Sequence, residues 1–233
     1  MRGNKETILI VVAHPDDEVL AMGGTICYYN KLNYKVYAMF FSDGISSRNY
    51  NRKKRMTIDA KKREDASEKA AKLLGFEWVF KGNFQDNAMD KEPLLNYIKV
   101  IEKVKRSINP SKVYTHSPTD LNVDHRVISK ATLTAFRPQP GEKCLEVATF
   151  EIPSSTDYSH HKTHGSFTPN KFIDISQFID NKLKAVSCYK SELRPFPHSR
   201  SLKGIKLLSQ YQGVQVGINY AEAFEVLRKI IKI

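Results

Sequence analysis

The chain is poor in cysteine, and this already excludes several kinds of protein. Its 233 residues include only three cysteines, Cys27, Cys144 and Cys188. They are scattered, odd in number and form no C-x-x-C pair. Such a set supports neither a disulfide framework nor a thiolate zinc finger. We therefore expect a reducing, cytoplasmic setting.

Long hydrophobic runs are also missing. The apolar run near the N-terminus, Ile8 to Ala13, is far too short to cross a bilayer, and the polar segment 14–18 interrupts it. No signal-peptide pattern precedes it. The sequence therefore predicts no transmembrane segment, while peripheral contact with an anionic membrane surface stays open.

What the chain does contain is apolar surface and positive charge. A hydrophobic share of 41% and an aromatic share of 10% are enough for a sizeable core, which excludes disorder of the whole chain. The formal net charge is +12. Such a balance favours partners that carry phosphate, which include nucleic acid, a nucleotide-linked substrate and an anionic membrane.

Half of the excess charge lies in one segment. Residues 48–72 hold ten Lys or Arg against four Asp or Glu. This segment is compatible with a solvated helix face, with a phosphate contact on a substrate through Lys62 or Arg63, and with a nucleic-acid footprint. The sequence favours the nucleic-acid interpretation least.

Hydrophobic periodicity predicts the fold class. Residues 7–13 and 35–42 are apolar runs without alternation, typical of strands buried on both faces of a parallel sheet. Short strands at 78–81 and 112–116 follow, and helical patterns separate the strands at 19–33, 61–74, 93–108 and 124–136. This alternation predicts an α/β protein with a doubly wound, mostly parallel sheet and right-handed crossovers.

The second half of the chain departs from this rhythm. A strand is predicted at 145–152, a polar loop at 153–170, a helix at 175–189, and two further helices at 199–211 and 220–231. No repeat or linker divides the chain. We therefore expect a single domain, 1–233, with a core of about 7–136, while 137–233 forms a helical extension that completes the pocket.

The reactive residues follow the first and fourth predicted strands. His14-Pro-Asp-Asp-Glu18 comes after the first, and the segment 116–125, which contains two histidines and two aspartates, comes after the fourth. Ligands of open α/β sheets bind beyond the carboxyl ends of the strands. The two clusters therefore predict a site at this edge.

The residue types in these clusters suit a catalytic metal. Zinc prefers three nitrogen or oxygen ligands with one position left open, and His14, Asp17 and His125 could supply them. Asp16 would then lie beside the metal as general base. The alternative is that Asp16 only caps a helix, where acidic residues are favoured. Three adjacent carboxylates repel one another, however, and the second cluster favours the metal site.

These residues also resemble a known family. AHPDDE at 13–18, Gly23-Gly24 and Asp120-x-x-x-Asp124-His125 are similar to the PIG-L/LmbE-type N-acetylglucosaminyl deacetylases, zinc-dependent enzymes with a Rossmann-like fold. The resemblance covers about 7–136. Short segments further along resemble a bacterial subgroup associated with surface-glycan synthesis: 152–156, 189–194, 197–201 and 221–224.

The resemblance implies roles for particular residues. His14, Asp17 and His125 would bind Zn²⁺ or another divalent metal, and Asp16 would be the general base. Asp124 would orient an imidazole, as carboxylates beside metal ligands commonly do.

One position departs from the family pattern. Several members have histidine where this chain has Asn122, whose amide has no tunable pKa. Asn122 could still stabilise an oxyanion. The proton donor for the leaving amine could be Asp16, returning the proton that it took, or His198, with a shared role favoured.

Other polar residues receive weaker assignments. Asp43 and Asp86 could accept hydrogen bonds from sugar hydroxyls, and Arg63 is expected to contact the substrate. We expect His116 to line the pocket. The histidines at 160, 161 and 164 could form a second metal cluster or simply occupy a polar loop.

The implied function is removal of an N-acetyl group from a GlcNAc-like amino sugar, free or linked to a nucleotide or lipid, in surface-glycan or lipopolysaccharide biosynthesis. Three alternatives stay open: an amidase acting on another small N-acyl substrate, a basic nucleic-acid-binding protein using 48–72, and a metal-independent binding protein. The sequence leaves a homo-oligomer open as well.

Overall fold

The apolar runs of the sequence form the centre of a seven-stranded sheet. A computed structural model of the chain describes residues 6–45 and 53–231, with the backbone alone for 53–57. The strands are β1 Thr7–Val12, β2 Lys35–Phe40, β3 Glu77–Lys81, β4 Lys112–His116, β5 Glu146–Phe150, β6 Lys171–Asp174 and β7 Ala221–Lys229. Their order across the sheet is β3-β2-β1-β4-β5-β7-β6.

Helices cover both faces of this sheet. They are α1 Asp17–Lys31, α2 Lys53–Leu74, α3 Leu94–Ile108, α4 Val123–Ala135, α5 His161–His164, α6 Ile179–Val186 and α7 Leu202–Val214. One core lies between the sheet and α1, α2, α6 and α7, and the other between the sheet and α3 and α4. Along β1, Ile8 and Ile10 face the first core whereas Leu9 and Val11 face the second. This burial on both faces explains why β1 lacks alternation.

The strand directions locate the binding edge. The strands β1 to β5 run parallel, while β7 is antiparallel to both β5 and β6. The strand order reverses between β1 and β4, since β2 and β3 lie on one side of β1 and β4 and β5 on the other. Such a switch point leaves a crevice at the carboxyl ends of the strands. The predicted α/β fold with a mostly parallel sheet is confirmed.

The tail differs from the sequence prediction. The prediction of a helix at 220–231 was wrong, because Ala221–Lys229 is the strand β7. Its alanine, glutamate and leucine residues favour helices, but pairing on both sides with β5 and β6 overrides that weak local preference. No pattern in the sequence predicted β6, at Lys171–Asp174. The helix predicted at 175–189 is present as the shorter α6.

All three cysteines carry free thiols. None of the helices within 6–45 and 53–231 combines the length and the apolar character that crossing a bilayer requires.

A buried ion pair fixes the helix that carries the first reactive cluster. Helix α1 is interrupted at Met22, whose φ of −141° and ψ of 30° are not helical. The Glu222 carboxylate of β7 accepts the N–H groups of Gly24 at 3.0 Å and Thr25 at 2.6 Å. Lys182 of α6 contacts the same carboxylate at 2.5 Å. The tail thus supplies the hydrogen-bond acceptors that the interruption of α1 requires.

Removal of this carboxylate should destabilise the fold. We expect Glu222→Ala to lower the free energy of unfolding by about 3–5 kcal/mol, because it leaves the Lys182 ammonium buried without its partner. Urea denaturation of the variant measures the change. Glu225→Ala, on the same strand but partly exposed, is the matched control and should change stability by less than about 1 kcal/mol. Equal effects of the two substitutions would contradict this role.

Candidate metal and catalytic site

The chain turns sharply after β1, and this turn presents the first cluster. Asp16 adopts a φ of 133°, a region that non-glycine residues seldom occupy, and Asp17 then begins α1. The His14 N–H donates to Asp17 Oδ2 at 3.0 Å and closes the turn. The strained backbone at Asp16 therefore directs the side chains of Asp16 and Asp17 into different surroundings.

Three of the predicted ligands converge. Asp17 Oδ2 lies 3.6 Å from His14 Nδ1 and 3.4 Å from His125 Nε2. Ligand atoms bound to zinc at about 2.0–2.2 Å in a tetrahedron lie about 3.3–3.6 Å apart. All three side chains are buried, and each offers a ligand atom within 4.8 Å of the others. The spacing therefore suits a zinc-sized cation.

One atom of this group has no hydrogen-bond partner. Asp17 Oδ1 is buried and accepts no hydrogen bond from the described residues. Although burial would raise the pKa of Asp17, His125 and His116 hold it well below its ordinary value. Oδ2 is the oxygen near the two imidazoles, and Oδ1 is the one without a hydrogen bond, so this ionised, buried carboxylate can offer either oxygen to a divalent cation. The residues present therefore fit the metal that the sequence predicts.

The opposite nitrogen of His14 faces two carboxylates. His14 Nε2 lies 3.1 Å from Asp86 Oδ1 and 3.1 Å from Asp124 Oδ2. The Asp124 carboxylate is itself fixed, because it accepts the N–H of Asn87 at 2.7 Å and of Met89 at 3.1 Å. Burial lowers the pKa of His14, but these carboxylates and Asp17 raise it well above its ordinary value overall. Asp124 can thus orient His14 with Nδ1 directed at Asp17.

A second carboxylate holds His125 in the same way. Asp120 Oδ2 lies 3.2 Å from His125 Nδ1, which leaves Nε2 directed at Asp17. Asp120 also accepts the hydroxyls of Ser155 and Thr156. Although burial opposes it, His125 lowers the pKa of Asp120. Sequence reasoning assigned no role to Asp120, and its place at the start of the Asp120-x-x-x-Asp124-His125 motif was the available signal.

His116 lies behind the ligand group rather than within it. It is fully buried, its ring stacks on His125 at 4.0 Å between centroids, and its Nε2 accepts the N–H of Ala13 at 2.9 Å. Burial, reinforced by His125, lowers the pKa of His116 to about 3. With Nε2 engaged by the Ala13 N–H, His116 could bind a metal only through Nδ1, a buried atom without a hydrogen-bond partner among the described residues.

Two arginines bracket Asp16. Arg63 Nη2 of α2 lies 3.1 Å from Asp16 Oδ1, and Arg200 Nη1 lies 3.2 Å from Asp16 Oδ2. Burial raises the pKa of Asp16 above its ordinary value, and the two guanidinium groups counteract it. Glu192 contacts both arginines. The sequence indicated no role for Arg200 or Glu192, since each lies far along the chain from Asp16.

Beneath Asp16 lies a further acidic group. The Tyr189 hydroxyl donates to Glu18 Oε1 at 2.8 Å, and the Asp16 N–H donates to Glu18 Oε2 at 3.0 Å. Burial raises the pKa of Glu18 to about 8. Glu18 therefore supports the backbone turn at Asp16 through its carboxyl oxygens.

Asp43 and Asn122 are two further residues that the sequence predicts for the site. Asp43 accepts the N–H of Ile45 at 3.0 Å, in a loop whose Gly44 packs against His14 and Arg63. Asn122 caps α4, with its amide oxygen accepting the Asp124 N–H at 2.8 Å.

Asp86 and Arg63 are more enclosed than a substrate-binding role requires. Both are almost fully buried, Asp86 against His14 and Arg63 between Asp16 and Glu192. His198 lies in a turn, where its Nδ1 accepts the Arg200 N–H at 3.0 Å. Its ring is near Tyr158, and none of its contacts with described residues reaches the ligand group. The substrate and acid roles stay predictions.

Two other sequence features stay apart from the site. Within the described part of the chain, the residue groups that could hold a metal do not include the histidines at 160, 161 and 164. The basic segment 48–72 lies partly outside the described residues. In its described part, Lys61 pairs with Glu64 and Asp65.

Part of the chain matches a known protein family. Residues 9–136, more than half of the chain, match the family described as GlcNAc-PI de-N-acetylase, PIG-L. The chain belongs to this family. The PIG-L match includes every residue of the candidate ligand group and the carboxylates around it.

Relatives of this family member include deacetylases and a hydratase. A probable N-acetyl-alpha-D-glucosaminyl L-malate deacetylase 2 of Bacillus cereus is 24% identical over 189 residues, covering 79% of this chain and 83% of its own. A 4-oxalmesaconate hydratase of Pseudomonas putida is 28% identical, covering 81% of this chain and 74% of its own. The N,N'-diacetylchitobiose deacetylase structure from Pyrococcus horikoshii has a TM-score of 0.76 at 20% identity, covering 97% of this chain and 85% of its own.

The predicted enzyme class follows from these matches. The family description and the Bacillus cereus relative identify this PIG-L chain as a deacetylase-type hydrolase, and that prediction is confirmed. The structural likeness confirms the fold.

The contact between Asp120 and His125 can be tested separately from catalysis. We expect Asp120→Asn to weaken zinc affinity about 10–100-fold, because a neutral amide no longer anchors the His125 ring as a carboxylate does. Competition with a chromophoric chelator measures the affinity. Asp90→Asn, which changes an exposed carboxylate, serves as the control. Unchanged zinc affinity in Asp120→Asn would refute this orienting role.

Proposed function

We propose that this PIG-L protein is a metal-dependent deacetylase that hydrolyses the N-acetyl group of a small amino sugar. The observation that carries the proposal is the convergence of His14 Nδ1, His125 Nε2 and Asp17 Oδ2 next to Asp16. His14, Asp17 and His125 would hold a divalent cation such as Zn²⁺, which supplies Lewis acidity to an amide carbonyl and lowers the pKa of water.

Asp16 is the proposed general base. Both of its carboxylate oxygens are held by guanidinium groups, so the side chain has a fixed direction. Its raised pKa suits a group that must accept a proton from the attacking water and release it again. Addition of that water to the acetyl carbonyl and cleavage of the C–N bond yield acetate and the free amine.

Asp16 also accounts for protonation of the leaving amine. The proton taken from water can return to the amine nitrogen, which balances the reaction without a second acid. The position of His198 beside Tyr158 does not favour it as the donor. The amide N–H₂ of Asn122, at the start of α4, is suited to donate to the developing oxyanion.

The substrate class rests on the relatives and on the polar character of the site. The named relatives act on N-acetyl-glucosaminyl malate and on diacetylchitobiose. We infer a GlcNAc-like substrate for this chain, with Asp43 accepting sugar hydroxyls. A cytoplasmic role in surface-glycan or lipopolysaccharide synthesis agrees with the sequence resemblance.

Acetate release tests the reaction and its substrate together. The zinc-loaded chain would be given N-acetylglucosamine free, linked to a nucleoside diphosphate and linked to a lipid diphosphate. We expect acetate and a free amine from at least one of these, with loss of activity after chelation and recovery after zinc is restored. Turnover of an unsaturated dicarboxylic acid without acetate release from any amide would instead indicate a hydratase.

Substitution of Asp16 tests the general base. We expect Asp16→Asn to lower kcat by about 10²–10⁴-fold, because the amide cannot accept the proton from water. Zinc content should stay unchanged, since Asp16 is not in the ligand group. Asp180→Asn, at an exposed position on α6, is the matched control. Full activity in Asp16→Asn would exclude this role.

A further inference from the structure

The segment between Glu192 and Glu222 carries charge of one sign only. Residues 193–221 contain four basic residues, Arg194, Arg200, Lys203 and Lys206, and no aspartate or glutamate. The chain as a whole has 25 acidic residues among 233. A stretch of this length without one is therefore a local feature of the sequence.

The same segment exposes apolar side chains. Of the fourteen large hydrophobic residues that are exposed in the described part of the chain, six lie within 193–221. They are Phe196, Leu202, Leu207, Tyr211, Val214 and Val216. Scattered exposed hydrophobic residues are ordinary, but a concentration of them marks an interaction surface.

Helical spacing gathers these residues on one side of α7. Lys203, Leu207, Tyr211 and Val214 are three or four positions apart and share one face, whereas Ile205 lies on the opposite, buried face. The exposed fractions are 45% for Leu207, 63% for Tyr211 and 75% for Val214. We call this stripe, together with Lys206, the α7 outer face.

The cations of this face have no acidic partners among the described residues. Lys203 Nζ lies 4.4 Å from the centroid of the Phe196 ring, and Lys206 Nζ lies 5.6 Å from that of Tyr220. In contrast, Arg200 is used within the catalytic site, where it contacts Asp16 and Glu192. Lys203 and Lys206 can therefore meet an external anion.

From this charge and this exposure we propose that the α7 outer face docks on an anionic lipid bilayer. An amphipathic helix with lysines beside leucine, tyrosine and valine lies in the plane of a membrane surface, with its apolar side chains among the lipids and its lysines at the phosphates. A second copy of this chain fits the face less well. Two-fold pairing would bring its lysines close to those of its partner, in a chain whose net charge is already +12.

The position of α7 gives such docking a consequence. Arg200 contacts Asp16 and stands two residues before the first residue of α7, and Ser201 caps the helix. The face that the bilayer would cover therefore belongs to a helix whose N-terminus adjoins a residue of the candidate site. The proposal concerns a surface, and it holds whether or not the proposed sugar substrate is correct.

Sedimentation with vesicles tests the docking. The full chain would be mixed with vesicles of phosphatidylcholine alone and of phosphatidylcholine with phosphatidylglycerol. We expect binding to the anionic vesicles, a decrease with added salt, and little binding to phosphatidylcholine. Leu207→Ser combined with Val214→Ser, and separately Lys203→Glu combined with Lys206→Glu, should each weaken binding at least about tenfold.

Matched controls lie on α3, which covers the other face of the sheet. Leu95 is an exposed leucine, and Lys99 and Lys103 are exposed lysines one turn apart. Leu95→Ser matches the Leu207→Ser change, and Lys99→Glu with Lys103→Glu matches the double charge reversal. Both controls should keep wild-type binding. Circular dichroism of each variant verifies that it is folded.

Three results would overturn the proposal. The first is the absence of binding to anionic vesicles, and the second is equal binding by the α7 and α3 variants. The third is a dimer in analytical ultracentrifugation that the α7 substitutions dissociate, which would make the outer face a contact between two copies of the chain.

Discussion

Burial of several carboxylates at the carboxyl ends of β1 and β4 is the constraint on which the rest of the site depends. A buried carboxylate must be paired or hydrogen-bonded, since its removal from water is otherwise prohibitive. Asp16 receives two guanidinium groups, Asp120 two hydroxyls and an imidazole, and Asp124 two backbone N–H groups. Asp17 keeps one buried oxygen without a hydrogen bond from described residues. We assign the metal site here because this oxygen lacks the hydrogen bonds that compensate the other buried carboxylates.

Several of these compensating groups come from the second half of the chain. That half is therefore needed to build the site. Ser155 and Thr156 follow β5, and Glu192 and Arg200 come from the connection between α6 and α7. Farther away, Glu222 of β7 satisfies the interruption in α1. The family match ends at residue 136, yet the carboxylates within it are held by side chains that lie beyond it.

Sequence reasoning succeeded where information is local. The runs at 7–13 and 35–42 read as buried strands because both faces are apolar, and AHPDDE with a later Asp-His pair carries its own chemistry. It failed where the determinant is distant. Arg200 contacts Asp16 across 184 positions, and no local pattern reports such a pair. Residues 221–229 have helix-forming composition, and only the two neighbouring strands make them a strand.

The chemistry proposed for this chain depends on a cation held by His14, Asp17 and His125. Two other groups of neighbouring side chains, His116-Asp120-His125 and His14-Asp86-Asp124, also have ligand-like spacing. Anomalous diffraction at the zinc edge from crystals of the zinc-loaded protein distinguishes the three most directly. We expect one strong peak bonded to His14 Nδ1, Asp17 and His125 Nε2. A peak at either of the other groups, or none at the ends of β1 and β4, would contradict this expectation.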